Sequence, residues 1–219
     1  MERRKAIKAA GRGGRPSRAD ALRLRGRILE VATELFLAQG YGSTTIEAVA
    51  ARAGISKRTL YHRFDDKAAL FAAVVHEIIQ QIRPPAGVPL IVGATLRDIL
   101  RRLAGMILHA ALSPQAIALH RLVMAESARF PELARAVAGD GSTREATTLI
   151  GDLLARELRE SRLSTADRAF AAQHFIFMVV TVPQRLAMGY GTPMTAADIE
   201  TWIDKTVVLF LDGYRRGTA

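Results

Sequence analysis

GISKRTLYHRF, residues 54–64, is the segment from which the architecture of this chain can be read. A glycine opens it, and Ser56 is a residue type that caps helix N-termini. At about 100° per residue, Leu60 and Phe64 fall on one side of the helix that follows. The other side carries polar and charged residues: Lys57, Arg58, Tyr61 and His62. The pattern predicts a short helix that buries one face and presents the other.

The preceding segment supplies a partner for this helix. Thr45 can cap a helix in which Ile46, Val49 and Ala53 repeat at i, i+3 and i+7, and Gly54 ends it. Two helices joined by a short turn containing glycine form a helix-turn-helix, whose second helix enters the DNA major groove. Lys and Arg can donate to guanine, and Tyr and His can reach phosphate or base edges. The alternatives are a solvated face for the two cations and packing at a domain edge for Tyr61 and His62.

The rest of the chain is also predicted to be helical. A first helix is expected at about 20–39 and a fourth from about residue 65 to Pro84. The segment PPAGVP, residues 84–89, breaks the pattern. Further helices are expected at about 95–111, 114–130, 143–161, 165–189 and 196–215. No segment shows the alternation of a strand, so the predicted fold class is all-α.

The net charge of +10 is concentrated at one end. Residues 1–27 carry ten Lys and Arg against Glu2 and Asp20, a net of +8, so the other residues carry only +2. A basic arm on a nearly neutral body favours a polyanionic partner. The arm lacks the apolar face that a helix lying on a membrane requires, so nucleic acid is favoured over membrane.

The composition also limits where the chain works. There is no cysteine, which excludes disulfides and thiolate metal sites and favours a reducing compartment. The longest apolar run, FIFMVVTV at 175–182, is too short to cross a bilayer. The basic N-terminal segment lacks the apolar core of a secretion signal. A cytoplasmic location is therefore expected.

Two longer motifs point to one family. LFLAQGYGSTTIEAVAARAGISKRTLYHRFDDKAALFAAVV, residues 35–75, resembles the DNA-binding domain of TetR/AcrR-type transcriptional regulators. LHRLVMAESARFPELARAVAGDG, residues 119–141, resembles the C-terminal ligand and dimer domain of the AefR-like branch. Together with the charge distribution and the break at residues 84–89, the resemblance predicts a basic flexible arm at 1–19, a helix-turn-helix DNA-binding domain with its connecting fourth helix at 20–83, and a helical bundle for ligand binding and dimerisation at 84–219.

The resemblance also assigns roles to DNA-binding residues. It implies that Thr45 and Lys67 contact phosphates and that Ser56 both caps its helix and donates to phosphate. It also implies that Lys57, Arg58 and Tyr61 approach base edges, while Thr59, His62 and Arg63 lie nearer the DNA backbone. Arg58 stands where the family often has a small residue, which would alter the operator sequence read. Arg63 is more basic than usual and adds a phosphate contact.

The arm holds a motif of its own, GRGGRPSR at 11–18. Its Gly14-Arg15-Pro16 resembles the core of a minor-groove hook. We expect Arg15 to enter a narrow minor groove beside the operator, where the negative potential attracts arginine. The alternative is a tail that contributes only nonspecific charge attraction.

The C-terminal half is predicted to bind an effector and to form a homodimer. Flexible methionines suit an adaptable apolar cavity, although core packing is the alternative. The candidate effector residues are Met106, His109, Met124, Phe175, Phe177 and Met178. Family members pair through their last two helices, and the candidate dimer residues are Phe170, Val182, Trp202, Thr206, Leu209, Phe210 and Gly213.

Other chemistry finds little support in the sequence. The five histidines lack the spacing of a zinc site, and no serine lies in a nucleophile elbow. Glu126 and Glu132 are interpreted as covering a helix surface. No cofactor, metal or enzymatic activity is predicted. The expected function is a homodimeric repressor that binds a palindromic double-stranded operator and is released by a small apolar or amphipathic effector; the alternatives are an architectural DNA-binding protein and an activator.

Overall fold

The computed structural model describes residues 17–84, 88–157 and 164–216, and over these residues every regular element is a helix. The elements are α1 (Arg18–Gln39), α2 (Ile46–Arg52), α3 (Lys57–Tyr61), α4 (Lys67–Ile82), α5 (Leu96–Ala111), α6 (Pro114–Glu126), α7 (Pro131–Gly139), α8 (Ser142–Glu157), α9 (Thr165–Arg185), a π-helical turn (Leu186–Tyr190) and α10 (Ala196–Arg216). The all-α prediction is confirmed. Arg15 lies outside the described residues.

Side-chain caps set where the helices begin. Ser17 and Asp20 form a reciprocal capping box at α1, and Thr45 and Ser56 accept N–H groups from the first turns of α2 and α3. Asp66 does the same at α4. Each cap pairs a backbone donor that has no partner within the helix, which explains why short polar residues predict these boundaries well.

The first hydrophobic core is formed mainly by α1, α2, α3 and α4. Leu60 of α3 is completely buried there, and the rings of Phe36 and Phe71 meet edge to face with centroids 5.4 Å apart. Leu122 of α6 and Leu133 of α7 belong to the same core. The predicted division of the chain at residue 84 stays a prediction, and this packing links its two sides.

The second core is formed by α5, α8, α9 and α10. The rings of Phe175 and Phe210 lie 4.9 Å apart, and the indole N–H of Trp202 donates to the carbonyl of Val179 at 3.0 Å. Phe175 comes before Val179 on α9, but its partner Phe210 comes after Trp202 on α10. The two helices are therefore antiparallel.

Two predicted helices differ from the observed ones. The helix predicted at 114–130 ends at Glu126, and a separate helix, Pro131–Gly139, follows that had not been predicted. Proline fits the first turn of a helix, because that position needs no N–H, so Pro131 starts α7 instead of ending the region. The helix predicted at 165–189 ends at Arg185 and continues as the π-helical turn.

A membrane-spanning helix is not found among the described residues. No single helix there is both long and apolar enough to cross a bilayer. Leu96–Ala111 and Pro114–Glu126 meet the length and composition only as a pair, and they are bent by 64°.

Candidate nucleic-acid interface

Helix α3 has one buried and one exposed face. Leu60 is completely buried and Phe64 is 4% exposed, whereas Tyr61 is 44% exposed. Lys57, Arg58 and His62 are also exposed. The turn before α3 depends on Gly54, whose φ of +68° lies in the left-handed region that favours glycine. The chain therefore presents a polar, positively charged surface on a helix whose opposite side is buried in the core.

Lys57 is not free on this surface. Its ammonium forms an ion pair with the Glu47 carboxylate of α2 and lies 5.7 Å from the centre of the Tyr61 ring. The hydrogen bond with Glu47 raises the pKa of Lys57, and the same bond lowers the pKa of Glu47. Glu47 takes one of the three donors of the Lys57 ammonium and offsets its positive charge, so it competes with a phosphate or base for this lysine. The sequence interpretation did not single out Glu47, although its position on α2 faces the first turn of α3.

Three predicted contacts are hydroxyl groups that also support the local fold. The Ser56 oxygen accepts the Thr59 N–H at 3.1 Å and lies 2.8 Å from the Thr59 hydroxyl. The Thr45 oxygen accepts the Ala48 N–H at 3.1 Å. Because a hydroxyl both accepts and donates, Thr45 retains a proton that it can offer to a phosphate.

The start of α1 lies against the end of α3. The Arg63 guanidinium donates to the Ala21 carbonyl at 3.4 Å, and the Arg25 guanidinium lies over the Phe64 ring at 5.4 Å from its centre. Two further arginines of this part of α1, Arg23 and Arg27, are exposed. Arg25 therefore adds positive charge beside the end of α3. Arg23 and Arg27 lie about 200° around α1 from Arg25, and Arg23 pairs with Asp20.

Lys67 contacts the turn between α1 and α2. Its ammonium donates to the carbonyls of Tyr41 at 2.9 Å and Thr44 at 3.0 Å. Burial lowers the pKa of Lys67, and the nearby carboxylates of Glu126 and Glu132 partly offset this. Two of the three ammonium protons are therefore used inside the protein, and only the third remains for the predicted phosphate contact.

Glu126 and Glu132 also contact this turn, so the interpretation that they only cover a helix surface is wrong. Glu126 accepts the N–H groups of Tyr41 at 2.9 Å and Gly42 at 2.8 Å, and Glu132 accepts the Tyr41 hydroxyl at 3.1 Å. Burial and the bond with Glu132 raise the pKa of Tyr41. The flanking glycines, Gly40 and Gly42, were the sequence signal for this close approach.

The six candidate effector residues do not surround one space. Phe175 is fully buried in the second core, and Met106 and Met178 pack partly against it. His109 is exposed, as are Met124 and Phe177 at 66% and 51%. Two open depressions in the described part of the chain lie along α5 and α10, and neither is lined by any of these residues.

The seven candidate dimer residues divide between surface and core. Phe170 and Leu209 are 62% and 65% exposed, Val182 is 42% exposed, and Gly213 is exposed. Thr206 and Phe210 are buried at 6% and 8%, and Trp202 is partly buried through its bond to Val179. The last three therefore hold α10 against the chain's own core.

Comparison with known proteins identifies the family. Residues 28–74 match the family model described as bacterial regulatory proteins of the tetR family, and residues 98–216 match the AefR-like transcriptional repressor C-terminal domain. The HTH-type transcriptional activator FasR of Mycolicibacterium smegmatis is 35% identical over 81 residues, 37% of each chain. The matches cover from 37% to 58% of the length of the curated relatives.

Two solved structures cover more of the chain. The flavonoid-responsive regulator FrrA has a TM-score of 0.72 and 29% identity, covering 87% of this chain and 96% of FrrA. A TetR-family regulator from Mesorhizobium loti has a TM-score of 0.69 and 28% identity, covering 90% of this chain and 98% of the other. These relatives are regulators of transcription and not enzymes. The chain belongs to the TetR family of bacterial transcriptional regulators, with a C-terminal domain of the AefR-like type.

Proposed function

We propose that the protein is a homodimeric repressor that binds a palindromic DNA operator through α3 and releases it when a small apolar or amphipathic ligand binds the C-terminal helices. The observation that carries the proposal is the outward face of α3, where exposed Lys57, Arg58 and Tyr61 stand opposite buried Leu60. Lysine and arginine recognise guanine in the major groove, and a helix fixed from behind holds them in register.

The exposed apolar surface of α9 and α10 supports pairing. Phe170 and Phe177 of α9 are seven residues apart and so lie on one side of that helix, and Leu209 of α10 is exposed as well. Large aromatic side chains left in water favour an interface. In a two-fold pair, the two α3 helices would meet successive major grooves about 34–36 Å apart, which requires a palindromic site.

The effector part of the proposal is supported by the likeness to FrrA, whose name describes it as flavonoid-responsive. A planar aromatic compound that entered between α5, α8 and α9 would have to displace packed side chains such as Met178. Helices α4 and α6 both contact the first core, so a shift there would reach α3. Ligand and DNA would then oppose each other with a coupling of about 1–3 kcal/mol.

Repression is favoured over activation by the match to the AefR-like repressor domain, although FasR is described as an activator. DNA as partner also fits a cytoplasmic location. Sequence-nonspecific architectural binding is the second candidate, because the exposed arginines of α1 alone would attract any duplex.

Selection of bound fragments from random duplexes tests the proposal, and we expect a palindrome. Arg58→Ala should then weaken binding to the selected duplex more than to a scrambled one, while Arg156→Ala, an exposed arginine on α8, should change neither. Equal loss on both duplexes would favour architectural binding. Release of the selected duplex by flavonoids, measured by fluorescence anisotropy, tests the effector.

A further inference from the structure

The turn between α1 and α2 binds a carboxylate from a distant part of the chain. The Tyr41 and Gly42 N–H groups both point at Glu126, the last residue of α6, at 2.9 and 2.8 Å. We call this pair of N–H groups the turn socket. Each carboxylate oxygen takes one bond, so the side chain fills the socket with both oxygens. Bonds from neutral donors to an ionised acceptor are about twice as strong as neutral ones.

Glycine makes the close approach possible. Gly40 has a φ of +88°, and a Cβ there would lie 2.5 Å from a Glu126 carboxylate oxygen. A Cβ at Gly42 would lie 3.2 Å from the other oxygen and 3.2 Å from the Phe130 ring. A side chain at Gly40 would therefore displace the carboxylate, and one at Gly42 would crowd the carboxylate and the Phe130 ring by a few tenths of an ångström.

The turn is held from its other side by a cation. Lys67 donates to the Tyr41 and Thr44 carbonyls, so an anion binds the N–H groups of the turn while an ammonium binds its C=O groups. The turn ends at Thr45, which caps α2, and α2 carries Glu47, which pairs with Lys57 of α3. The position of the socket therefore sets where α2 begins and how α3 is presented.

We propose that Glu126 is a positioning residue for DNA recognition, through which α6 holds the turn socket and orients α2 and α3. The role in recognition rests on the proposed function. Helix α6 also contributes Leu119 and Leu122 to the first core, so it is fixed against the DNA-reading helices by apolar contacts as well. Withdrawal of the carboxylate leaves two backbone donors without their partner and loosens the turn that leads into α2.

The test compares Glu126→Gln with Tyr41→Phe in the full chain. Glutamine keeps the size of Glu126 but removes its charge and turns an NH2 group towards one donor. Phenylalanine removes only the bond between Tyr41 and Glu132 and leaves the socket intact. Gly42→Ala instead adds a Cβ beside the Glu126 carboxylate, and it serves as a second variant if Glu126→Gln does not fold.

Two quantities are measured, hydrogen exchange of the Tyr41 and Gly42 amides and the ratio of affinities for the selected and scrambled duplexes. In Glu126→Gln we expect exchange about 10-fold faster and a ratio at least about fivefold lower. Tyr41→Phe should change both by less than about twofold.

Three outcomes would overturn the proposal: unchanged exchange in Glu126→Gln, faster exchange with an unchanged affinity ratio, or an equal fall in the ratio for Tyr41→Phe. If the unaltered protein prefers no duplex, the proposed function fails and the positioning role fails with it. The exchange rates would still show whether the carboxylate holds the turn, so the two failures are distinguishable.

Discussion

Leu60 and Tyr61 are neighbours on α3 with opposite expected roles, and replacing each by alanine separates folding from DNA binding. Leu60 is completely buried in the first core, whereas Tyr61 is 44% exposed. Helix α3 has only five residues, so it is stable only through its packing. Leu60→Ala should therefore loosen all of α3, while Tyr61→Ala should leave α3 in place.

The magnitudes follow from burial. Leu60→Ala removes a fully buried side chain and should lower the free energy of unfolding by about 2–5 kcal/mol. Tyr61→Ala changes an exposed side chain and should lower it by no more than about 0.5 kcal/mol. A recognition contact contributes about 1–3 kcal/mol, so Tyr61→Ala should weaken binding to the selected duplex by about tenfold.

Urea unfolding followed by circular dichroism, at one protein concentration, gives the stability of both variants. Fluorescence anisotropy with the selected duplex gives the affinities. A loss below about 1 kcal/mol for Leu60→Ala would refute the assigned packing. Equal destabilisation by Tyr61→Ala would refute the division of α3 into a core face and a DNA face.

Three further predictions concern other parts of the chain. Burial and the bond with Glu132 raise the pKa of Tyr41 in the folded state, so loss of the Tyr41 proton disfavours folding. The contribution of Tyr41 to stability is therefore complete below the ordinary pKa of about 10 and is lost as the pH rises above it. Tyr41→Phe should flatten the fall in the free energy of unfolding between about pH 9 and 11. Deleting residues 1–16 removes six Lys and Arg and should make the slope of log affinity against log salt less negative by up to about 5, while Arg15→Ala alone should lower the preference for A·T-rich flanks. Leu209→Asp should shift the protein from dimer to monomer in sedimentation equilibrium, whereas Val137→Asp on α7 should not; a dimeric Leu209→Asp would exclude that surface from the interface.

The local features of the reading helices could be predicted from the sequence. Ser56 and Thr45 cap the helices that their positions indicated, and the apolar spacing placed Leu60 in the core. Such features depend on neighbours within one or two helical turns, so a short segment contains all the information they need.

The C-terminal half was less predictable. Apolar spacing shows that a helix has a buried side but not which partner buries it, so Thr206 and Phe210 were assigned to a dimer surface although they lie in the chain's own core. Helix α7 was missed because proline occurs both at the first position of helices and just after their ends, so Pro131 alone did not show which applied.

By itself, the sequence determined that the chain is helical, that its N-terminal segment is basic, and that a short helix exposes two cations and a tyrosine. Apolar periodicity and charge can be read from short stretches of sequence. Only the tertiary structure decided that Glu126, 85 residues after Tyr41, seats its carboxylate on the turn before α2, and that Lys67 is bound to carbonyls of the same turn. Such contacts join segments far apart in the chain, so their partners are settled only when the helices pack.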